Sequence, residues 1–348
     1  MTRNEKSYPV EGRGVILALA LSCALSGLAC NGVNSPRIAP AVSVDSTAIR
    51  EVFEGKRTEA NALWWGFDAM DATAMIQAAI NSPAKEVRIP CVGLPWYVQP
   101  LTLRSDLRLI LDSGVTVAAI PGSFLDPTAA LLKAYECSSL EIDATNASVQ
   151  MRKEDYESRP YAPSQWRHCL ALLGCTNVYV EGLRLMNSGG DGIYVGRSDS
   201  KVECRNITIK HVTCDGNYRN GISVISVRTL RIDSCTLMNT RGIPPQAGID
   251  FEPNYDNESL IDCELTNSSI VSNAYFGIIV SPWNFTSRSQ LMSITIANCT
   301  VIGNGGGAIC FNGPPSPQGN RGYVRLIENH LYGDTTMYNA GDIAILDH

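Results

Sequence analysis

The sequence predicts an all-β fold, a single-domain right-handed parallel β-helix, and two recurring phrases carry that prediction. A Gly-Ile pair returns every 27 to 29 residues, and an Ala-Ile pair follows 31 residues after the last: Gly192-Ile193, Gly221-Ile222, Gly248-Ile249, Gly277-Ile278 and Ala308-Ile309. Between them, aliphatic anchors end strand-like runs: Val180, Ile209, Ile232, Leu265, Ile296 and Leu326. A period of about thirty residues without helical periodicity is typical of a solenoid, whose coils bury their apolar side chains only by stacking.

Turn-forming residues support the same interpretation, because one stands eight positions after every anchor. They are Ser188, Asn217, Thr240, Asn273, Asn304 and Asp334. In stacked coils these positions coincide, so we expect the Asn side chains to hydrogen-bond from coil to coil in a ladder. Only the step from Ile232 to Ile249 is longer than the others, by four residues, and the segment 241–245 has room for them.

Composition limits the function classes. The chain of 348 residues carries a net charge of −6 and has a pI near 5.3, so nothing in it favours a nucleic-acid partner. Its twelve cysteines include no Cys-x-x-Cys pair, which argues against a zinc site. Cys235 and Cys299 share one inward coil position, which predicts small buried core residues; disulfides are the alternative for a chain outside the cytoplasm.

The first residues predict export. Residues 1–30 combine Arg3, Lys6 and Arg13 with a short apolar run over 15–21, as in a signal peptide. The stretch 26–30 resembles a bacterial lipobox, which would place a lipid on Cys30 and attach the protein to a membrane; plain secretion is the alternative. We therefore expect a secreted, periplasmic or lipid-anchored protein. A flexible tether is predicted over 31–58 and the β-helix over 59–348, with folded structure beginning near Trp64.

A capping helix is predicted over 71–80, with Asp71 as its N-cap. Strand-like segments follow it, reading VRIP, WYV, LTL and LRLILDSGVTV. This succession resembles the opening of the pectate-lyase-like and polygalacturonase-like superfamily of right-handed β-helix proteins, and the resemblance covers roughly residues 64–348. It implies the fold and a polysaccharide or oligosaccharide partner. Because loops that leave a solenoid commonly build its binding face, the polar excursion 151–165 is expected to do so here.

Alignment of the coils on the inward column Leu170, Ile193, Ile222, Ile249 and Ile278 places polar residues side by side. Two positions before that column stand His168, Asp191, Asn220, Ala247 and Phe276. One position after it stand Ala171, Tyr194, Ser223, Asp250 and Ile279, and three after it Leu173, Gly196, Ile225, Glu252 and Ser281. Strand alternation puts the last two columns on the outer face and leaves the direction of the first open. With coils about 4.8 Å apart, Asp191 should lie roughly 10 Å from Asp250.

These columns provide candidates for acid–base work on sugars. The predicted catalytic residues are Asp191, Asp250, Glu252 and His168, and the predicted substrate-binding residues are Arg167, Tyr194, Arg219, Asn220, Ser223 and Arg241. Asp191 could instead be a turn residue favoured beside glycine. The adjacent acids Asp250 and Glu252 require a nearby cation, which Arg219, Arg241, a calcium ion or a bound substrate could supply. No metal ligand set is predicted.

Two further resemblances bear on whether the chain is a hydrolase or a lyase. The stretch NSGGDGIYVG, residues 187–196, looks like the polygalacturonase strand that carries an Asn-Thr-Asp-Gly phrase, with Asp191 at the matching acid. The Asp-Asp, Gly-His-Gly and Arg-Ile-Lys phrases of those enzymes are missing. AGIDFEPN, residues 247–254, is similar to the Gly-Asp-Pro-His region of alginate epimerases and lyases. We expect a glycoside hydrolase with paired carboxylates; the alternatives are a uronate lyase or epimerase and a non-catalytic surface scaffold.

Overall fold

The computed structural model describes residues 43–313, 321–338 and 343–347, all within one compact unit. Its strands form two parallel sheets, called sheet 1 and sheet 2. Two α-helices precede most of the strands, α1 over Ser46–Phe53 and α2 over Thr73–Asn81. Short 3-10 helices lie at Ala62–Trp65 and Asp155–Glu157.

The strands are numbered in chain order. Among the described residues, sheet 1 contains eighteen strands: β1 Glu59–Asn61, β2 Glu86–Ile89, β3 Trp96–Val98, β5 Leu107–Leu111, β6 Thr116–Ala119, β8 Ser138–Gln150, β10 Thr176–Met186, β12 Cys204–Lys210, β13 Thr213–Asp215, β15 Val227–Asp233, β16 Thr236–Met238, β18 Leu260–Thr266, β19 Ser269–Val271, β21 Met292–Ala297, β22 Thr300–Ile302, β24 Gly322–Ile327, β25 His330–Leu331 and β27 Ile343–Asp347. Sheet 2 contains nine over the same ranges: β4 Leu101–Thr102, β7 Leu132–Tyr135, β9 Leu170–Leu173, β11 Ile193–Gly196, β14 Asn220–Val224, β17 Ala247–Phe251, β20 Phe276–Val280, β23 Gly307–Asn312 and β26 Thr335–Tyr338.

The predicted coil register is confirmed. In sheet 2, Ile193 pairs with Leu170 on one side and Ile222 on the other, and the column continues through Ile249 and Ile278. The anchor residues form a second column in sheet 1, in which Val180, Ile209, Ile232, Leu265, Ile296 and Leu326 pair in succession. Both columns point into one continuous apolar core. Each coil therefore completes the core of its neighbours.

Close approach between coils explains why glycine recurs in the Gly-Ile phrase. A Cβ atom on Gly221 would lie 2.4 Å from the carbonyl oxygen of Gly248, and one on Gly192 would lie 2.6 Å from that of Gly221. A Cβ on Gly248 would lie 2.4 Å from a methyl carbon of Ile270. Side chains cannot be accommodated at these distances, so the repeat reflects backbone packing between coils.

The predicted asparagine ladder is confirmed at the turns. The Oδ1 atom of Asn217 accepts from the backbone N–H of Ser188 at 3.1 Å, and that of Asn273 accepts from Thr240 at 3.1 Å. Asn304 Oδ1 accepts from both the backbone and the side-chain amide of Asn273. These bonds satisfy backbone groups at turns that are buried between coils.

The cysteines belong mainly to the core. Ten lie among the described residues, all as free thiols, and nine of them are buried. Cys214, Cys235 and Cys299 are at most 1% exposed, as the stacked-core interpretation predicts. Burial raises the pKa of the Cys235 thiol to about 12, which makes it an inert apolar group.

Ordered structure begins earlier than the expected Trp64. Helix α1 lies inside the segment predicted as a tether, where Asp45 caps it by accepting from the Ala48 N–H at 2.9 Å. The helix buries Ala48 and Val52, so this part of the segment is folded although its Ser- and Pro-rich composition is typical of a tether. Helix α2 is found where a helix was expected, but its N-cap is Ala72 and not the predicted Asp71, which accepts from the Thr73 N–H just before the helix. The signal over 1–30, with Cys30, lies outside the described residues.

Within the described part of the chain, no helix is both long and apolar enough to cross a membrane.

Candidate functional site

A single guanidinium connects the polar residues of sheet 2. Arg219, just before β14, donates from Nε to Gln165 Oε1 at 3.1 Å, from Nη1 to Ser223 Oγ at 3.0 Å and from Nη2 to Glu252 Oε2 at 2.9 Å. Its Nη1 also lies 3.7 Å from Asp191 Oδ1. We call these five residues, with His168, Tyr194, Asn220 and Asp250, the Arg219 cluster.

Strand β17 brings two acids to this guanidinium. Asp250 pairs in register with Ser223, and Glu252 follows the strand with its N–H bonded to the Val224 carbonyl. Burial disfavours the charge of Arg219, but the carboxylates of Asp191, Glu252 and Asp250 outweigh it and raise the pKa of the guanidinium. Of the cations considered for the two acids, Arg219 is the one that the structure places there.

His168 and Asp191 form a buried pair in the next coil. The Nδ1 atom of His168 accepts from the backbone N–H of Asp191 at 3.0 Å and lies 3.3 Å from its Oδ2. Burial, reinforced by the charge of Arg219, lowers the pKa of His168 to about 3. Burial raises the pKa of Asp191 to about 6, although Arg219 and Ser223 oppose that shift. A neutral imidazole thus lies beside a carboxyl group that holds its proton into the mildly acidic range.

Glycine permits this approach of the two coils. A Cβ on Gly190 would lie 2.7 Å from the Gln165 carbonyl oxygen and 3.0 Å from His168 Nδ1. The Gly190 carbonyl in turn accepts from the N–H of Arg219 at 2.9 Å. The Gly-Gly-Asp-Gly phrase therefore positions Asp191 between His168 and Arg219, so Asp191 is more than a turn residue.

Tyr194 forms the rim of the cluster. Its ring stacks on the imidazole of His168, with centroids 4.8 Å apart and planes 23° from parallel. It is partly exposed, and a Cβ on Gly196 would lie 2.5 Å from its ring, so glycine at that position leaves room for it. An aromatic face beside two acids is a common arrangement for holding a sugar ring.

The outer face of sheet 2 is more enclosed than strand alternation suggests. Asn220 and Ser223 are fully buried, and Asp250 is 1% exposed. Asn220 donates to Ser223 Oγ at 3.0 Å and accepts from the Ala247 N–H, so both residues are held by protein groups. Asn220 and Ser223 thus support Arg219 through hydrogen bonds, and their direct contact with substrate stays a prediction. Solvent reaches the cluster at Tyr194, at Arg219, whose side chain is 14% exposed, and at Glu252.

Two predicted substrate-binding arginines lie apart from the cluster. Arg167 is fully buried, donates to the backbone carbonyls of Phe124, Leu125 and Ala162, and packs over the rings of Tyr156 and Tyr161. It therefore fixes the excursion 151–165 to the coils, and its assignment to substrate binding is corrected.

The side chain of Arg241 is exposed at the loop before β17, where its backbone carbonyl accepts from Lys153 Nζ at 3.2 Å. No contact of this side chain with the Arg219 cluster is observed in the described part of the chain. Arg241 thus contacts the excursion 151–165 through its backbone and lies outside the Arg219 cluster.

Sequence reasoning missed Gln165. It lies at the end of the excursion 151–165 and holds Arg219 Nε, so the excursion contributes to the face as expected, through a residue that was not singled out. No sequence signal distinguishes this glutamine, because its role depends on the path of the excursion, which no periodicity specifies.

Over residues 43–313, 321–338 and 343–347, no group of three or more His, Cys, Asp and Glu side chains is arranged to hold a metal ion. Asp250 and Glu252 instead face the guanidinium of Arg219.

The His168–Asp191 pair predicts an unusual pH dependence of stability. The folded pKa of Asp191, about 6, exceeds its ordinary value of 3.8, so its contribution is present below pH 4 and is lost as the pH rises through 6. The folded pKa of His168, about 3, is below 6.5, so its contribution is present above pH 6.5 and is lost as the pH falls towards 3. Between pH 4 and 6 the two dependences oppose each other and nearly cancel.

Each single variant should therefore reveal the slope of the other residue. In His168→Asn, the free energy of unfolding should fall from pH 4 to 6 by up to about 1.4 kcal/mol per pH unit, and in Asp191→Asn it should rise. Urea titrations at several pH values measure this, with His330→Asn, an exposed histidine of β25, as the control. Parallel pH profiles for wild type and His168→Asn would contradict the lowered pKa of the buried His168.

The family comparison agrees with this architecture. A family model described as "Right handed beta helix region" matches residues 163–320, which contain every strand from β9 to β23 and the whole Arg219 cluster. The fold of the chain is a right-handed parallel β-helix. The expected right-handed parallel β-helix fold is thereby confirmed, while the resemblance to the pectate-lyase-like and polygalacturonase-like superfamily stays a prediction.

Solved structures place polysaccharide hydrolases among the neighbours of this β-helix protein. One is described as a 1,3-α-1,4-β-D-galactose-4-sulfate-3,6-anhydro-D-galactose-2-sulfate 4 galactohydrolase; the TM-score is 0.55 at 13% identity, over 81% of this chain and 64% of that one. The GH82 iota-carrageenase of A. fortis gives a TM-score of 0.55 at 12% identity, over 73% and 57%. Identities this low show a shared fold and leave the activity to be argued from the site.

A curated relative is the uncharacterized protein YclG of Bacillus subtilis (strain 168), 25% identical over 121 residues, or 31% of this chain and 21% of YclG. The β-helix protein thus spans about a fifth of this relative and less than two thirds of either hydrolase.

Proposed function

We propose that this β-helix protein is a glycoside hydrolase that binds a polysaccharide across β11, β14 and β17, with Asp191 as general acid and Glu252 as the partner carboxylate. The observation that carries the proposal is the unequal environment of two acids on one guanidinium. Asp191 is buried beside a neutral imidazole and has its pKa raised to about 6, whereas Glu252 accepts a 2.9 Å hydrogen bond from Arg219. Glycoside hydrolysis needs one protonated and one ionised carboxyl group.

The remaining residues of the cluster support these two. Asp250 adds negative charge next to Arg219, which favours a developing oxocarbenium ion nearby. Tyr194 offers an aromatic face, and His168 keeps Asp191 in place through the bond to its N–H. Export, secretion or attachment through Cys30 is part of the same proposal and is motivated by the signal-like residues 1–30.

Incubation of the full chain with neutral, sulfated and uronate-containing polysaccharides tests the activity, with and without calcium. Reducing ends should appear without the absorbance of an unsaturated product, because hydrolysis adds water across the bond. The value of kcat/KM should fall above pH about 6, as Asp191 loses the proton it donates.

Other outcomes of that experiment identify the alternatives. An unsaturated chromophore would replace the hydrolase with a uronate lyase, and epimerised product without cleavage would indicate an epimerase. Absence of any product would refute the hydrolase proposal.

A second candidate, a non-catalytic carbohydrate-binding scaffold, is favoured by one observation. Asp191 and Asp250 are at most 1% exposed, which suits a polar network that rigidifies the face. Retained polysaccharide binding without turnover would support this candidate.

A further inference from the structure

A second polar site lies beyond the Arg219 cluster on the same coils. It is a cleft of about 330 Å³, which we call the basic cleft, and its charged lining residues are Arg197, Lys201, Glu203, Arg205 and Arg228. Four of these five are cationic, in a chain whose net charge is −6. Such a local reversal of charge is a feature of sites that attract anions.

Glu203 cannot neutralise the cations around it. Its Oε1 lies 2.6 Å from Arg228 Nε and is also paired with Arg205 Nη2. Lys201 is exposed at the same opening. Arg205, Arg228 and Lys201 thus stand against one lining carboxylate, an excess of two positive charges on this side of the cleft.

The cationic side chains of the cleft are held by neighbouring groups, and Arg197 is paired with an acid. Arg197 lies 3.7 Å from the carboxylate of Glu258, donates to Asn257 Oδ1 at 2.9 Å and packs over the ring of Tyr255 at 5.4 Å. Tyr255 is 52% exposed, so one side of its ring is open to a ligand. Arg228 is held in the same way, by Ser259 Oγ at 3.2 Å. These contacts fix the arginines before a ligand arrives, which lowers the entropy that binding costs.

The position of the basic cleft relates it to the first site. Arg197 directly follows β11, Arg228 lies on β15 just after β14, and Asn257 lies in the loop that begins at Glu252 and follows β17. The strands that carry Tyr194, Ser223 and Asp250 therefore lead directly into the turns that line the cleft. One extended ligand could contact both sites.

We propose that the basic cleft binds the anionic groups of a polysaccharide, sulfate esters or uronate carboxylates, and that the substrate class of this protein is anionic. Both groups are planar or pyramidal oxyanions that accept paired N–H bonds from arginine, and Tyr255 supplies a ring face for the attached sugar. The assignment of a substrate class rests on the proposed hydrolase function, whereas the binding itself does not.

Calorimetric titration of the full chain tests the proposal with three oligosaccharides of equal length: a sulfated galactan, an oligogalacturonate and a neutral galactan. At low salt, at least one anionic oligosaccharide should bind more tightly than the neutral one, and about 0.5 M salt should remove the difference. The double variant Lys201→Gln with Arg205→Gln should weaken anionic binding about tenfold and leave neutral binding unchanged. The affinities for the sulfated galactan and the oligogalacturonate show whether the cleft prefers sulfate esters or carboxylates.

The matched control is Arg50→Gln on helix α1 with Lys56→Gln shortly after that helix, which removes the same charges from exposed positions distant in sequence from the cleft. Equal affinity for all three oligosaccharides, or equal loss in the cleft and control variants, would overturn the proposal. Glu252→Gln separates the two proposals, because it should abolish turnover and keep cleft-dependent binding. Cleft-dependent binding without hydrolysis of any polysaccharide would refute the hydrolase alone, and hydrolysis of neutral substrates alone would refute the anionic class.

Discussion

Replacement of Arg219 by methionine is expected to lower the free energy of unfolding by about 3–5 kcal/mol, because it leaves buried acids without their cation. Arg219 Nη2 contacts Glu252, and Nη1 faces Asp191, which is fully buried. The same change leaves Ser223 and Gln165 without the donor that they share. Methionine fills much of the volume, so the loss is electrostatic and polar rather than a cavity effect.

Urea unfolding followed by circular dichroism measures this effect. The matched control is Arg231→Met, since Arg231 also contacts two acids, Asp262 and Glu264, but lies on sheet 1 with 34% of its side chain exposed. That variant should lose only about 0.2–1 kcal/mol. Arg219→Lys should recover part of the loss by keeping the charge without the planar fork. If Arg219→Met costs no more than Arg231→Met, the cluster does not depend on its guanidinium.

Substitution of Asp191 by asparagine should reduce kcat about 10²- to 10⁴-fold on whichever polysaccharide the chain hydrolyses, with substrate affinity nearly unchanged. Asparagine preserves the shape of the side chain but has no proton to give to the departing sugar oxygen. The fall of kcat/KM above pH about 6 should disappear in the residual activity, because the group responsible for it is gone.

A pH–rate profile and circular dichroism together check this prediction. The control is Asp262→Asn on β18, which makes the same chemical change at a site where Asp262 adopts a positive φ of 55° that asparagine tolerates. That variant should keep full activity. If the Asp191→Asn enzyme keeps the wild-type kcat and its kcat/KM still falls above pH about 6, Asp191 is not the general acid.

The coil register could be predicted from sequence because it depends on spacing alone. Once Gly-Ile pairs recur at about thirty residues, stacking fixes which residues are neighbours, and Tyr194, Ser223 and Asp250 pair as expected. Helix α1 could not be predicted in this way, since its burial depends on the surface that it covers. Local composition therefore misplaced the start of the fold.

Most residues of the Arg219 cluster could be predicted from the sequence, but the way they are arranged could not. Asp191 and His168 share a column in the sequence alignment of coils, and the structure brings them within 3.3 Å. The contribution of Gln165 arises from an excursion of fifteen residues, 151–165, whose path no periodicity specifies. Arg167 was misassigned because it donates to the backbone carbonyls of Phe124 and Leu125, in a loop more than forty residues earlier in the sequence.

The in-register pairing of each strand with one about thirty residues away also bears on how the chain reaches its structure. Such pairings demand only short loop closures for a β protein, and every coil offers the same kind of template to the next. Folding can therefore begin at any two adjacent coils and extend coil by coil in both directions along the solenoid axis. A coil in the middle of the solenoid that is destabilised, for example by replacement of Arg219, would separate the coils before it and the coils after it into two cooperative folding units.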